Sequence, residues 1–313
     1  MGDKIPSINQ VSEECYLSRD TVEKAYSTLK SQKVIVAVKG KGYYITRIDL
    51  DVNVNVLFLI NKLSSYKMRI FNSFVDHLGS DGNVELDIYH CEPSNFVKII
   101  EKKKALYTHF VIMPHFKNES MQHIGVSSEI RKVLEGIKAS RLIILDRDIK
   151  DFAEDAGRVV QDFRKDIYNA LCNNIEKIQK YKKVILIYPS KSLYPYPKDI
   201  LIGFRSFCLQ HKFDFELLDE IYEGMEFQVK DLFIVIQESD LVNLVKQTRD
   251  RHYKLGDEIG IISYNDTPLK DLLGISVIST DFDQMGKLAA GMLLSDEKPH
   301  VKNQFRFIDR NSL

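Results

Sequence analysis

Residues 54–113 read VNVLFLINKLSSYKMRIFNSFVDHLGSDGNVELDIYHCEPSNFVKIIEKKKALYTHFVIM, and their alternation decides the fold. Residues 54–60, 84–89 and 110–113 are β-prone runs of strand length, whereas 68–78 and 96–104 read as helices between them. Strand, helix, strand, helix, strand is the order of a parallel sheet wrapped by helices. A helix over 130–137 and a strand over 142–145 extend this first set. A helix over 167–178 leads into a second set, with strands at 184–188, 215–218, 232–236, 259–263 and 277–279 and helices at 200–209, 241–251 and 285–294. Two such arrays of similar size imply two lobes. Ligands of open α/β sheets sit at the carboxyl ends of the strands, so a cleft between the lobes is the expected site.

Upstream, Gly2 to Thr46 reads GDKIPSINQVSEECYLSRDTVEKAYSTLKSQKVIVAVKGKGYYIT. Ser7 and Gln10 have the spacing of a capping pair, which predicts a helix over 8–15. After Tyr16 and Leu17, Ser18 can cap a second helix whose Val22, Ala25, Tyr26 and Leu29 form one packing face. Its first turn offers Ser18, Arg19, Asp20 and Thr21 at a positive helix end, which suits contact with phosphates and base edges in a major groove. Residues 34–38 and 43–46 are β-prone, and the basic tip Lys39-Gly40-Lys41-Gly42 joins them as a wing able to lie along a phosphate backbone. The plain alternative is an amphipathic helical hairpin with no nucleic-acid role.

Charge does not settle the choice between them. Eight basic residues (Lys4, Arg19, Lys24, Lys30, Lys33, Lys39, Lys41, Arg47) face five acidic ones (Asp3, Glu13, Glu14, Asp20, Glu23), while the whole 313-residue chain is neutral with 44 of each sign. A mildly basic module on a neutral body is the footprint of a regulator rather than of a packaging protein. The chain is 44% hydrophobic and 28% charged, enough to bury a sizeable core. Its longest apolar run near the start, 52–60, is too short to span a bilayer and lacks signal-peptide character, so a cytoplasmic protein with no membrane partner is expected. Cys15, Cys91, Cys172 and Cys208 are scattered without a C-x-x-C pair, arguing for reduced thiols and against a zinc knuckle.

The spacing of Pro6-Ser7, Ser18-Arg19-Asp20-Thr21-Val22, Ala25 and Gly40-Lys41-Gly42-Tyr43 resembles the winged helix-turn-helix of GntR-type bacterial regulators. The resemblance implies DNA contacts from Ser7, Asn9, Ser18, Arg19, Asp20, Thr21, Lys39, Lys41 and Gly42, although Asn9 stands where that family often has Arg. It also implies a helix before this segment, and because the chain starts at Met1-Gly2 the head is expected to lack it. Farther on, residues 257–268, Ser279-Thr280-Asp281-Phe282 and 285–290 are similar to the sensor domain of LacI-type repressors. Leu145-Asp146-Arg147, Val160-Gln161-Asp162, Gly203-Phe204-Arg205, Ser239-Asp240 and Arg310-Asn311-Ser312 add weaker matches. Together they resemble arabinose-repressor-like proteins, a GntR-type head fused to a periplasmic-binding-protein-like sensor.

The resemblance implies an α/β fold with a winged helix-turn-helix at 1–48 and a sensing and dimerising body at 49–313. The body's lobes are expected at approximately 52–160 with 282–298, and 161–281 with 299–313, joined by three crossovers and each built on a doubly wound parallel sheet. The implied partners are operator DNA, a second copy of the chain, and a small effector such as arabinose, fucose or a sugar phosphate. Ligand contacts are expected from Lys62, Ser64, Tyr66, His115, Phe116, Asp146, Arg147, Tyr194, Glu238, Ser239, Asn265 and Asp281, by hydrogen bonding to hydroxyls and aromatic stacking. Ile200 stands where many sugar-binding relatives place an Arg, so either another cation grips the sugar or the ligand is not a typical one. Asn265 in place of the usual Asp disfavours an amine ligand. The cluster of Tyr188, Tyr194 and Tyr196 among Pro189, Pro195 and Pro197 also fits a rigid loop packed on the second lobe.

Enzymatic motifs are missing: no G-x-G-x-x-G follows the first strand, Gly40-Lys41-Gly42 is too short for a phosphate loop, and no G-x-S-x-G occurs. His109, His115 and His123 lack helical i, i+4 pairing, and neither a metal nor a cofactor is expected. The rival readings are a sugar receptor without DNA function and a small α/β enzyme.

Overall fold

Ser7 closes the incoming chain by accepting the Gln10 amide at 3.2 Å, and helix α1 (Ile8–Cys15) begins behind it. The computed structural model describes residues 3–31, 34–46, 54–295 and 297–313 and divides the chain into two units, 1–53 and 54–313. Lys33, Arg47 and the segment 47–53, on which the expected head–body boundary falls, lie outside the described residues. Tyr16 ends α1 in the left-handed conformation (φ 53°), and Ser18 accepts the Thr21 amide at 3.2 Å to start α2 (Arg19–Ser31). The hairpin β1 (Ile35–Val38) and β2 (Gly42–Ile45) follows, with Val38 opposite Gly42 across a turn in which Gly40 takes φ 75°. Val22, Tyr26 and Ile35 form the small core, and the Tyr26 hydroxyl donates to Pro6 O at 2.7 Å. Ala25, read as part of the packing face, is exposed.

The first half of the body runs β3 (Val54–Ile60), α3 (Ser65–Leu78), β4 (Gly82–Ile88), α4 (Pro93–Lys103), β5 (His109–Ile112), the short pair β6 (Phe116–Lys117) and β7 (His123–Ile124), α5 (Ser128–Glu135), β8 (Leu142–Asp146) and β9 (Gly157–Val160). The second runs α6 (Phe163–Cys172), α7 (Ile175–Ile178), β10 (Lys183–Ile187), α8 (Asp199–Gln210), β11 (Asp214–Leu218), β12 (Asp231–Val235), α9 (Glu238–Asp250), β13 (Ile259–Tyr264), α10 (Pro268–Leu272), β14 (Ser276–Thr280), α11 (Phe282–Leu294), β15 (His300–Lys302) and β16 (Phe305–Ile308). Where one helix was expected over 167–178 there are two. Asn174 interrupts it by turning its amide onto the Ala170 carbonyl at 2.9 Å.

The strands form two six-stranded sheets, β4-β3-β5-β8-β9-β15 and β11-β10-β12-β13-β14-β16, all parallel except for the final β14–β16 pair. Strand residues alternate between two faces, each covered by helices. Phe58, Val111 and Ile143 lie level in register and meet α3 and α11, whereas Leu57, Phe110 and Leu142 lie level on the other face beneath α4 and α5. Burying each such side chain contributes about 1.5–3 kcal/mol, which explains the near-continuous apolar strands of both sheets. Gly286 lets α11 approach α3 closely, since a Cβ there would lie 2.4 Å from Ile70 O.

Three crossovers join the lobes: after β9, between β14 and α11, and between β15 and β16. β15 pairs with β9, so 300–302 belong to the first sheet and not, as expected, to the second lobe. Asn303 ties the crossovers together, its backbone N donating to Val160 O and its side-chain amide to Asp281 O, both at 2.8 Å.

Candidate ligand cleft and head surface

In each sheet the strand order reverses beside the first strand, at β3 in one lobe and β10 in the other, and the crevice outside the carboxyl ends of such strands is where ligands bind. The loops after β3, β5, β10, β12 and β13 converge there. They line a mouth of about 860 Å³ and a smaller inner chamber of about 60 Å³. Lys62, Tyr66, Tyr196, Ile236, Tyr264 and Asn265 line both.

Lys62, Ser64, Tyr66, Glu238 and Asn265 line the mouth, and His115 and Tyr194 the inner chamber, as the sequence suggested. Tyr66 stacks on Phe282 with ring centroids 4.8 Å apart. The Lys62 ammonium lies over Tyr194 and Tyr196, 5.3 and 5.0 Å from their centroids. Tyr194 and Tyr196 of the proline-flanked cluster are thus part of the cleft wall, whereas Tyr188 faces a separate pocket.

Five other expected contacts lie elsewhere. Phe116 is fully buried among Tyr89 and Phe96 because β6 turns it into the core. Asp146 sits behind the chamber wall, accepting from His115 Nε2 at 2.8 Å and from Gln161 Nε2, both of which line the chamber. Arg147 faces a separate groove and pairs with Asp199 at 3.6 Å. Ser239 is exposed on the first turn of α9, with its hydroxyl toward Gln237. Asp281 caps α11 through the Gln284 amide and pairs with Arg306 at 2.7 Å, so its carboxylate is occupied in the crossover.

The structure also brings residues that sequence reading missed. Asn61, Lys67, Gln161 and Phe163 line the chamber, and Arg69, Gln237, Asp266, Lys270 and Arg310 line the mouth. Lys67 had a signal: it interrupts the apolar stripe completed by Ile70, Phe74 and Leu78, a charge on a face that must be buried. Ile200 forms an apolar part of the chamber wall, so no cation comes from α8.

Burial dominates the electrostatics. Removal from water lowers Lys67 to about 8 despite the attraction of Asp146, and lowers Lys62 as well. Desolvation takes His115 down to about 4 although Asp146 pulls the other way, leaving a neutral ring that donates Nε2–H to the carboxylate. Burial works against the Asp146 charge, yet His115, Lys67 and Gln161 hold its pKa below the usual carboxylate range. His115 and His123 approach to 3.2 Å, but among the described residues no group of three side chains has metal-binding geometry.

On the head, Ser7, Asn9, Ser18, Arg19, Asp20, Thr21, Lys39, Lys41 and Gly42 are all exposed. The Ser18 and Thr21 hydroxyls pair at 2.7 Å, whereas Arg19 and Asp20 of the first turn of α2 have no side-chain partner among the described residues. Among the described residues, no helix is long and apolar enough to cross a membrane.

Residues 1–45 match the family described as bacterial regulatory proteins, gntR family. No curated protein sequence matches the chain. Among solved structures, similarity extends to a LacI family transcriptional regulator from Lactobacillus casei with bound glucose, at 12% identity and TM-score 0.64 over 83% of this chain and 99% of that one. The trehalose repressor from Escherichia coli aligns at 14% identity and TM-score 0.64, covering 82% of this chain and 100% of its own. The Escherichia coli transcriptional repressor ascG aligns at 15% and 0.64, covering 83% and 98%. The chain therefore joins a segment that matches the gntR family, at residues 1–45, to a body with the two-lobed α/β fold seen in LacI-family regulators.

Proposed function

We propose that this protein is a sequence-specific DNA-binding transcription regulator whose affinity for its operator is set by a sugar or sugar-derived effector in the interlobe cleft. It works as a homodimer in the cytoplasm and catalyses no reaction. The observation that carries this reading is the presence in one chain of a gntR-family segment and a large cleft between two lobes, lined by tyrosines and hydrogen-bonding side chains. The sugar-bound L. casei structures, with glucose and with sucrose, support the effector class. A ligand touching both lobes favours the closed arrangement by its differential affinity, and the lobes turn about the crossovers tied by Asn303. Two heads reading half-sites roughly 34 Å apart would feel that change as a change of spacing. A coupling of about 1–3 kcal/mol is enough for a useful switch.

The test is selection of a duplex from a random pool with the purified chain, followed by titration of that duplex and a scrambled one with and without arabinose, fucose, glucose, sucrose and sugar phosphates. Tight, sequence-dependent binding that one sugar changes by about 5-fold or more is expected. Equal affinity for selected and scrambled duplexes overturns the DNA reading, and an operator affinity indifferent to every sugar overturns the effector reading.

A further inference from the structure

The cations of the mouth other than Lys62 are matched. Arg69 pairs with Asp283, Arg310 lies 2.9 Å from both Asp266 and Asp271, and Lys270 donates to Tyr264 O at 2.6 Å and Asn265 O at 2.8 Å. Lys67 is not. Its side chain is 1% exposed and lines the inner chamber, yet among the described residues it has no hydrogen bond and no carboxylate within 4.0 Å, only the Tyr66 ring 5.5 Å away. Asp146 attracts this ammonium only from a distance, and a buried ammonium with no direct hydrogen bond or ion pair is strongly unfavourable, so such a group marks a place where a partner is expected to arrive.

Two neighbouring atoms are in the same condition. Asn61 Oδ1 and Ser64 Oγ are buried without partners, and with Lys67 they sit three residues apart along the loop after β3 and the first turn of α3. Ser64 is the N-cap of α3 but makes no side-chain cap bond, and the first turn of the helix contains no acidic residue. The orphan amides and positive dipole of that end are therefore uncompensated. Asn61 now donates Nδ2–H to Cys91 Sγ at 3.0 Å. Turned about its terminal bond, the same amide accepts from the thiol and presents its N–H groups to the chamber. Lys62 adds a second cation on the same wall, likewise without a carboxylate partner among the described residues.

We propose that Lys67, with Lys62 and Asn61 of the inner chamber and Ser64 of the adjoining mouth, forms an anion subsite, and that the effector is accordingly a sugar bearing a compact negative group, a phosphate ester or a carboxylate. The anionic group occupies the inner chamber, and the sugar hydroxyls reach Asn265, Gln237 and Glu238 at the mouth. This deepens the effector reading above and rests on it. The cation that α8 lacks at Ile200 is supplied instead from α3.

Calorimetric titration of the full chain with glucose, glucose 6-phosphate, glucuronate, arabinose, arabinose 5-phosphate, arabinonate and inorganic phosphate tests it. At least one charged sugar should bind tenfold or more tightly than its neutral parent, and whether the phosphate or the carboxylate series does so identifies the source of the charge. Lys67→Met and Lys67→Gln should each remove that preference, so that the charged sugar binds no more tightly than its neutral parent. Lys67→Met should also raise the Tm of the ligand-free protein, since it removes an unpaired buried charge, so its loss of binding is separable from misfolding. A neutral parent that binds as tightly as its charged derivative, or a preference that survives both substitutions, overturns the anion subsite and leaves the sugar reading standing. If no sugar binds, charged or neutral, both readings fall.

Discussion

Asp146 and Asn265 occupy matching points of the two lobes: Asp146 ends β8 and Asn265 follows β13, the corresponding strands of the two sheets, and both hold left-handed backbones, φ 71° and 62°. Their side chains do different work. Asp146 is 1% exposed and organises His115 and Gln161 from behind the chamber, whereas Asn265 lines the cleft with its backbone carbonyl held by Lys270.

Asp146→Ala is therefore expected to lower the unfolding free energy by about 2–4 kcal/mol, because two buried donors lose their acceptor and alanine is strained at that φ. Asp146→Asn, which keeps one acceptor and tolerates the backbone, should cost less than half as much. Denaturant titration measures both, and equal losses would show that the carboxylate is not the organiser. Asn265→Ala should change stability less while abolishing the thermal stabilisation given by the effector.

Stability should fall as the solution is acidified from pH 6.5 towards 4. The unfolded chain takes up a proton on His115 near its ordinary value of 6.5, while the folded chain does so only near 4, so protons favour unfolding across that window. The contribution of His115 is at most about 3 kcal/mol, and His123, lowered to about 2 chiefly by burial, acts in the same direction. Unfolding free energies at pH 7 and pH 4.5 should differ accordingly, and His115→Gln should reduce the difference. A slope unaffected by that substitution would contradict the assignment.

Gly286→Ala should destabilise the body by about 1–3 kcal/mol through overpacking. The added methyl meets backbone of α3 at Ile70 O and Phe74 N, 2.4 and 2.8 Å away, which no rotamer change relieves. Because α3 carries Lys67, effector affinity should fall as well. A fully stable variant would mean that the α3–α11 packing is looser than described.

Arg19→Ala should weaken binding to the selected operator by about 1–3 kcal/mol if the guanidinium reads a base, and should act equally on all duplexes if it holds only phosphate. Titrations of operator and scrambled duplex at two salt concentrations separate the two.

Residues 54–313 expressed alone should fold and dimerise, since both sheets and all the helices that cover them lie within that segment. Sedimentation of a monodisperse monomer would remove the dimer from the proposal, and aggregation would move the boundary.

Much of the framework was legible because it is local. Capping residues at Ser7 and Ser18 started helices where expected, and apolar runs such as Val54–Ile60 became strands because a strand buried on both faces must be apolar throughout. The short crossover strands β9, β15 and β16 were not legible: Arg158, Lys302 and Arg306 break up runs of four residues or fewer, and each strand takes its place from the one it joins. The cleft divided in the same way. Loop residues directly after strands, such as Lys62, Glu238 and Asn265, could be placed by topology alone. Phe116, Arg147, Ser239 and Asp281 stand at loops of the same kind, but their side chains are claimed by a core, an ion pair, an exposed helix turn and a helix cap. The sequence by itself determined a head of two capped helices and a hairpin, a body of two wrapped parallel sheets, and the end of those sheets at which a ligand would bind. Only the tertiary structure decided that Asp146 is hidden behind His115 and that Lys67 is left buried without a direct ion pair among the described residues. Burial and pairing depend on which side chains from distant segments fill the space around a group, and no local pattern encodes that.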